Sequence, residues 1–171
     1  LFRSPSIKLP PLQALPLGAE IEIVGTQGDF LTTTNSCFIY SPHLTPIGIN
    51  HPDFVAIAEK FLNAPYLWGG KSWMGIDCSG LVQVSLLMSG YKAPRDSDMQ
   101  EAQLGKPIVN HSSLQRGDLI FWKGHVGIMR DETTLLHANG SHMLVSSEPL
   151  SIVRERNVHA GAGDITSCRR L

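Results

Sequence analysis

The chain has 171 residues, enough for one ordinary domain or for a compact domain of roughly 120 residues with a small accessory one. Hydrophobic residues make up 42% and charged residues 17%, a globular balance that excludes a disordered or fibrous chain. The formal net charge is −1, from 14 basic and 15 acidic side chains, so the sequence offers no strong field for nucleic acid or anionic lipid.

The three cysteines, Cys37, Cys78 and Cys168, are widely spaced and form no C-x-x-C pair. This spacing argues against a disulfide framework and against a thiolate zinc site, and we expect neither a metal nor another cofactor. No apolar run approaches the length of a membrane span, and prolines interrupt the first 18 residues, where a signal peptide would need an apolar core. Taken as it stands, the sequence predicts a cytoplasmic protein. A periplasmic or secreted location is the alternative if an upstream signal was removed.

Residues 1–48 predict a small β-barrel-like segment and a linker. The proline-rich start, residues 1–18, predicts an extended linker or an edge strand. Short β-patterned runs bounded by turn residues predict three strands, at residues 19–24, 30–34 and 37–40. This part resembles the end of a bacterial Src-homology-3-type barrel. An N-terminal hairpin that belongs to the main domain is the alternative.

Residues 49–171 predict a second domain, in which helical patterns come first and strand patterns follow. The early elements are a helix over 54–62 capped by Asp53, an irregular aromatic loop over 66–76 and a buried helix from Asp77 to Gly90. A polar loop or helix start at 94–100 and a short helix over 101–106 follow. The later runs predict strands at 119–122, 125–130, 134–138 and 143–147, with 152–156 as a further candidate. This order predicts an α+β fold with helices on one side of an antiparallel sheet.

Cys78 is a candidate nucleophile because it follows a glycine-rich loop and opens the predicted buried helix. Cysteine reacts as thiolate, and a helix N-terminus together with a nearby imidazole lowers the pKa of a thiol. Asp77 is the expected N-cap, and Ser79 is small enough to let a substrate backbone approach. The alternative is a buried cysteine that acts as a small hydrophobic residue.

The base is sought among the histidines, and a predicted hairpin brings two of them together. A turn centred near residues 131 and 132 sets His125 across from a residue close to 138, so that His125 and His137 are neighbours, on one face if 125 lies opposite 137. Such a pair suits a relay in which His125 takes the thiol proton and His137 orients it. Asn139 and His142 are alternatives for the third member. The other histidines lie in predicted linkers or loops, where we expect no role: His43, His51, His111 and His159.

Six motifs in this order resemble those of NlpC-type cysteine peptidases, papain-like enzymes of bacterial cell-wall metabolism: LWGG at 67–70, DCSGLV at 77–82, PRDS at 94–97, RGDLIF at 116–121, HVGI at 125–128 and LHA at 136–138. The resemblance covers roughly residues 50–171 and implies a papain-like core with helices packed on an antiparallel sheet. It also implies that Cys78 is the nucleophile, His125 the general base and acid, and His137 the orienting residue.

The same resemblance implies peptidoglycan-derived peptides as partners, cleaved between γ-D-glutamate and a diamino acid such as meso-diaminopimelate or lysine. Members with small N-terminal barrels include enzymes that trim muropeptides with a free N-terminal L-alanine. Four positions match those that hold the alanine amine in these enzymes: Tyr66, Asp77, Ser79 and Ser97. Trp68 is expected to form a wall of the pocket. One carboxylate with several neutral acceptors suits an ammonium group.

Each substrate-binding assignment has a structural alternative. Asp77 and Ser97 can be helix caps, Ser79 a small helix residue, and Tyr66 and Trp68 ordinary aromatic packing. Arg95 and Asp96 can form a surface pair. For the whole chain, the alternatives are a papain-like amidase or acyltransferase on another amide, a cell-wall binding module, or a Cys-His-His metal site.

Overall fold

A computed structural model of the chain describes residues 1–109 and 113–171, so His111 lies outside the described residues. The chain divides into two units, Leu1–Ile49 and Asn50–Leu171. Within the described residues no helix is both long enough and apolar enough to cross a membrane.

The first unit contains one antiparallel sheet of three strands in the order β1-β2-β3. The strands are β1 (Ile23–Gln27), β2 (Phe30–Thr33) and β3 (Phe38–Tyr40), and a 3₁₀ turn follows at Ser41–His43. The bounds predicted for the first strand are wrong, because the strand begins at Ile23 and ends at Gln27. A register shift lies between Ile23 and Gly25. Gly28, with φ of 57°, then makes the turn. The likeness to a Src-homology-3-type barrel stays a prediction.

Among its described residues, the second unit has four α-helices. They are α1 (Phe54–Glu59), α2 (Cys78–Met88), α3 (Ser97–Gln103) and α4 (Leu150–His159). The predicted caps of the first two are confirmed, since the carboxylates of Asp53 and Asp77 accept hydrogen bonds from amides of the first turn. The predicted bounds of α1 and α3 are wrong: α1 gives way to tight turns after Glu59, and α3 ends at Gln103 instead of reaching residue 106. It begins at Ser97, inside the segment predicted as a polar loop or a helix start.

Two sheets complete the second unit. A small hairpin is formed by β4 (Lys71–Ser72) and β5 (Gly75–Ile76). The main sheet is antiparallel, in the order β10-β9-β8-β7-β11-β6. Its strands are β6 (Lys106–Pro107), β7 (Leu119–Trp122), β8 (His125–Met129), β9 (Thr134–Asn139), β10 (Leu144–Pro149) and β11 (Ser167–Arg170).

Both faces of the main sheet are covered, because successive side chains of a strand point to opposite faces. Phe121 and Ile128 pack with buried residues of α1 and α2 in one cluster. Trp122 and Met129 pack in a second cluster, to which α4 contributes Val153. The α+β class is confirmed, but the expectation that all helices lie on one side of the sheet is wrong.

Three element assignments also differ from the sequence prediction. The loop over 66–76 contains the β4–β5 hairpin, because Gly70 and Gly75 let its two strands approach closely. The candidate strand at 152–156 lies inside α4. The sequence does not predict strands β6 and β11, because both are short and Cys168 is the one fully buried residue of β11.

Candidate active site

Cys78 lies at the first position of α2, directly after the cap residue Asp77. The carboxylate of Asp77 accepts a hydrogen bond of 2.7 Å from the amide of Gly80. The Cys78 thiol is buried, and the backbone amide of Val126 lies close enough to its sulfur to act on the pKa of the thiol. Because Val126 follows His125 in β8, the sulfur lies beside the start of that strand.

The lowered pKa expected for Cys78 from its helix position is wrong. Burial raises the pKa of this thiol above its ordinary value of 9.0, and the negative charge of Asp77 raises it further. The amides of Val126, Ser79 and Cys78 itself act in the opposite direction, but burial outweighs them. The thiol is therefore neutral near pH 7.

Arg95 neutralises the carboxylate of Asp77. Its guanidinium donates to Oδ1 at 2.9 Å, to Oδ2 at 2.5 Å and to the hydroxyl of Ser79 at 2.9 Å, while the amide of Gly69 donates to Oδ2 at 2.7 Å. Burial raises the pKa of Asp77, but Arg95 and the backbone amides more than offset it, so this pKa lies below its ordinary value. The surface pair expected between Arg95 and Asp96 is thus replaced by a half-buried pair with Asp77.

Four side chains form a continuous hydrogen-bonded relay from β8 to α4. Nε2 of His125 lies 2.8 Å from Nδ1 of His137, and Nε2 of His137 lies 2.9 Å from Oε1 of Glu148. Arg156 donates to Oε2 of Glu148 at 2.8 Å. The ring of Trp122 packs beside His125, with centroids 5.7 Å apart.

Both imidazoles of the relay are neutral near pH 7. Burial lowers the pKa of His125 to about 3, and the neighbouring His137 and Arg156 add to this effect. Burial also lowers the pKa of His137, against the opposing influence of Glu148.

The two histidines are diagonal neighbours rather than directly opposite each other. The ladder between β8 and β9 pairs Ile128 with Leu136, and this register offsets His125 and His137 by two residues on the same face. The carboxylate of Asp131 accepts hydrogen bonds from the backbone amides of Thr133 and Thr134, each at 2.8 Å, and so fixes the position of the turn. The predicted neighbourhood is therefore confirmed, and the direct opposition is not.

The side chain that hydrogen-bonds His125 is His137, while the two alternatives hydrogen-bond other groups. Asn139 donates to the hydroxyl of Ser146 at 2.7 Å, and its Oδ1 accepts the amide of His142 at 2.9 Å. Within the described part of the chain, no group of three or more His, Cys, Asp or Glu side chains is arranged to hold a metal ion.

The remaining predicted site residues divide into those near the sulfur and those apart from it. Burial raises the pKa of Tyr66, and negative charge at Cys78 and at Asp77 acts in the same direction. Ser79 is buried in the first turn of α2. Trp68 is 82% exposed, so the alternative that it packs as an ordinary aromatic residue is wrong, and Ser97 opens α3. Across residues 1–109 and 113–171, neither Trp68 nor Ser97 hydrogen-bonds the cluster around Cys78.

Sequence reasoning missed several residues that support this site. Glu148 had a usable signal, because the β9–β10 hairpin pairs His137 with Ser146 and strand alternation puts residue 148 on the same face. Gln100 had none: it donates to the carbonyl of Ser79 at 2.9 Å and so ties α3 to the start of α2. Arg156 had none either, because it lies on a helix that the sequence did not predict.

Comparison with known proteins gives matches over the second unit. The model of the NlpC/P60 family matches residues 63–161, more than half of the chain. Dipeptidyl-peptidase 6 of Lysinibacillus sphaericus is 39% identical over 97 residues, 54% of this chain and 35% of that relative. Gamma-D-glutamyl-L-lysine dipeptidyl-peptidase of Bacillus subtilis is 37% identical over 95 residues, 50% of this chain and 31% of that relative. The chain spans about a third of the length of these curated relatives.

Solved structures share the fold. A NlpC/P60 family protein from Bacillus cereus superposes with a TM-score of 0.70 at 24% identity, over 99% of this chain and 59% of that one. The NlpC/p60 domain of the peptidoglycan hydrolase SagA superposes with a TM-score of 0.54 at 29% identity, over 72% of this chain and 100% of that one. The first likeness supports the α+β architecture, and the second agrees with the family match.

Proposed function

The chain belongs to the NlpC/P60 family, and we propose that it is a cysteine peptidase that hydrolyses the bond between γ-D-glutamate and a diamino acid in peptidoglycan stem peptides. The observation that carries the proposal is the convergence of α2 and β8. Cys78 opens the helix, the amide of Val126 lies near its sulfur, and His125, the residue before Val126, is hydrogen-bonded by His137. The name of the Bacillus subtilis relative, gamma-D-glutamyl-L-lysine dipeptidyl-peptidase, supports the substrate class.

In the first step, His125 accepts the proton of the Cys78 thiol as the sulfur attacks the γ-glutamyl carbonyl. The raised pKa of the thiol and the lowered pKa of His125 mean that this proton moves during attack rather than before it. The tetrahedral oxyanion needs hydrogen-bond donors. The amides of Cys78 and Ser79 supply them, because the first amides of a helix have no partner within the helix.

In the second step, the imidazolium of His125 gives its proton to the leaving amine of the diamino acid, and the carbon–nitrogen bond breaks. A thioester to Cys78 remains. Water then loses a proton to His125, attacks the thioester carbonyl and releases the γ-glutamyl acid, which returns the thiol. Trp122, packed on the imidazole, shields one side of its ring from bulk water.

A preference for a free N-terminal L-alanine is the finer part of the proposal. In this proposal the side-chain oxygens of Tyr66, Asp77 and Ser79 accept hydrogen bonds from the ammonium group, and Ser97 stays a predicted contact. Arg95 already pairs with Asp77, so a substrate ammonium shares this carboxylate and depends as well on neutral oxygens.

The experiment compares two tripeptides, L-Ala-γ-D-Glu-diaminopimelate with a free amine and the same peptide acetylated at its N-terminus. A hydrogen-bonded ammonium contributes about 1.5–3 kcal/mol, so we expect kcat/KM to favour the free peptide by roughly 10- to 100-fold. Tyr66→Phe should narrow this ratio, whereas Tyr91→Phe, at an exposed tyrosine, should leave it unchanged. Equal kcat/KM values for both peptides would contradict the proposed preference for a free amine. If neither peptide is cleaved, the proposed substrate class is wrong.

A further inference from the structure

We infer that Glu148, held by Arg156, is a positioning residue that fixes which nitrogens of His137 and His125 carry protons. Its consequence for the rate rests on the proposed function, whereas the arrangement of protons does not. The sequence analysis assigned no role to Glu148 or Arg156. The two residues lie on the opposite side of His137 from His125.

The geometry around Glu148 is that of an enclosed acceptor. Its side chain is 13% exposed. Oε1 accepts from Nε2 of His137 at 2.9 Å, from the hydroxyl of Ser146 at 3.1 Å and from Arg156 at 2.9 Å, and Oε2 accepts from Arg156 at 2.8 Å. His142 faces the same oxygen, with its Nδ1 3.5 Å from Oε1. Every neighbour is therefore a donor or a group that can act as one.

The direction of the relay follows from the chemistry of a carboxylate. An ionised carboxylate only accepts hydrogen bonds, so Nε2 of His137 must carry the proton in the contact with Glu148. A neutral imidazole has one protonated nitrogen, which leaves Nδ1 of His137 as an acceptor. The 2.8 Å contact then requires Nε2 of His125 to donate. Nδ1 of His125 is left unprotonated, which is the state that a base for the Cys78 thiol needs.

Arg156 keeps this direction from reversing. Burial raises the pKa of Glu148, but hydrogen bonds from His137, Arg156 and Ser146 together hold it below its ordinary value, so the carboxyl stays ionised at neutral pH. A protonated Glu148 could donate to His137 and invert both imidazoles. This gives α4 a function beyond the single buried apolar side chain that it adds to the core, Val153.

Glu148→Gln is the sharpest variant, because an amide has the shape of the carboxylate but only one acceptor oxygen. Arg156 donates to both oxygens of the native side chain. In the variant, either Arg156 or His137 must face the amide NH₂ group. When His137 does so, its Nε2 becomes an acceptor and the proton pattern of both histidines reverses.

The control for a merely structural role is Glu59→Gln. Glu59 is also a partly buried carboxylate between two arginines, Arg116 and Arg130, but it contacts no residue of the relay. Both variants should lose comparable stability in urea unfolding, so an effect on the proton arrangement or on kcat in Glu148→Gln alone separates positioning from folding.

The test reads the imidazole nitrogens directly, by long-range ¹H–¹⁵N correlation spectra of the wild type, Glu148→Gln, Glu148→Ala and Glu59→Gln without substrate. We expect the wild type and Glu59→Gln to show protons on Nε2 of both His125 and His137, and the two Glu148 variants to show mixed or reversed tautomers. With the tripeptide, kcat should fall about 10- to 100-fold at little change in KM, as when an outer carboxylate that orients a functional imidazole is removed.

Three results would overturn the inference: a wild-type His137 protonated on Nδ1, unchanged tautomers in both Glu148 variants, or altered tautomers with an unchanged kcat. A wild type that cleaves no stem peptide but shows the expected tautomers would overturn the proposed function alone. The two claims can therefore fail separately.

Discussion

Replacement of Arg95 by methionine tests how the charge of Asp77 is held beside Cys78. The variant removes three donated hydrogen bonds, two to Asp77 and one to Ser79, and leaves a carboxylate that is only 9% exposed. Breaking a fully buried ion pair costs about 3–5 kcal/mol. Arg95 is 29% exposed and Asp77 keeps two amide donors, so we expect a loss of about 2 kcal/mol.

The loss should depend on pH with a definite sign. The folded-state pKa of Asp77 lies below its ordinary value, so the stabilisation is complete above the unfolded pKa and disappears as the pH falls through the folded pKa. The difference in unfolding free energy between the wild type and Arg95→Met should therefore be largest at neutral pH and shrink in acid.

The assay is a double-mutant cycle by urea unfolding at pH 7 with Arg95→Met, Asp77→Asn and the combined variant. A loss of about 2 kcal/mol corresponds to a fall in Tm of roughly 6–10 °C for a unit of this size. We expect a coupling energy of about 1.5–2 kcal/mol between the two sites. A coupling below about 0.5 kcal/mol, or a loss that does not shrink in acid, would refute the charge-pairing explanation.

Two further predictions concern the thiol and the loop before it. Because burial raises the pKa of Cys78 and lowers that of His125, alkylation of Cys78 in a Cys37→Ser background should accelerate steadily with pH beyond 9; a rate already maximal at pH 6 would contradict this and indicate an ion pair. A Cβ at Gly70 would overlap a backbone carbonyl of the β5 strand, so Gly70→Ala should lower Tm and activity together, whereas Gly140→Ala, with open space around it, should match the wild type in both. Equal Tm values for the two variants would contradict this and show that the β4–β5 hairpin accommodates the added methyl group.

The reactive centre was predictable because its signals are local. An aspartate cap and an apolar run identify the start of α2, and hydrophobic strands on either side of a polar turn bring His125 and His137 together. His125 and His137 are not directly opposite each other, but they still meet. Long side chains on one face of a sheet reach each other diagonally.

What the sequence did not predict depends on contacts between distant segments. Arg95 pairs with Asp77 across the chain instead of with its neighbour Asp96, and no periodicity encodes that choice. Helix α4 buries only Val153 among residues 150–159, so its weak apolar pattern does not predict a helix and gives no sign of the role of Arg156. The pKa of Cys78 depends on competing terms, because burial opposes the helix amides, and only the packed structure gives their balance.

The central claim is that Cys78 performs the hydrolysis. The most direct measurement is release of the diamino acid from L-Ala-γ-D-Glu-diaminopimelate, followed by mass spectrometry for the wild type and Cys78→Ala. We expect release by the wild type and none above the uncatalysed rate for Cys78→Ala, with folding of the variant verified by its unfolding curve. Release of the diamino acid by a folded Cys78→Ala variant at the wild-type rate would contradict the account.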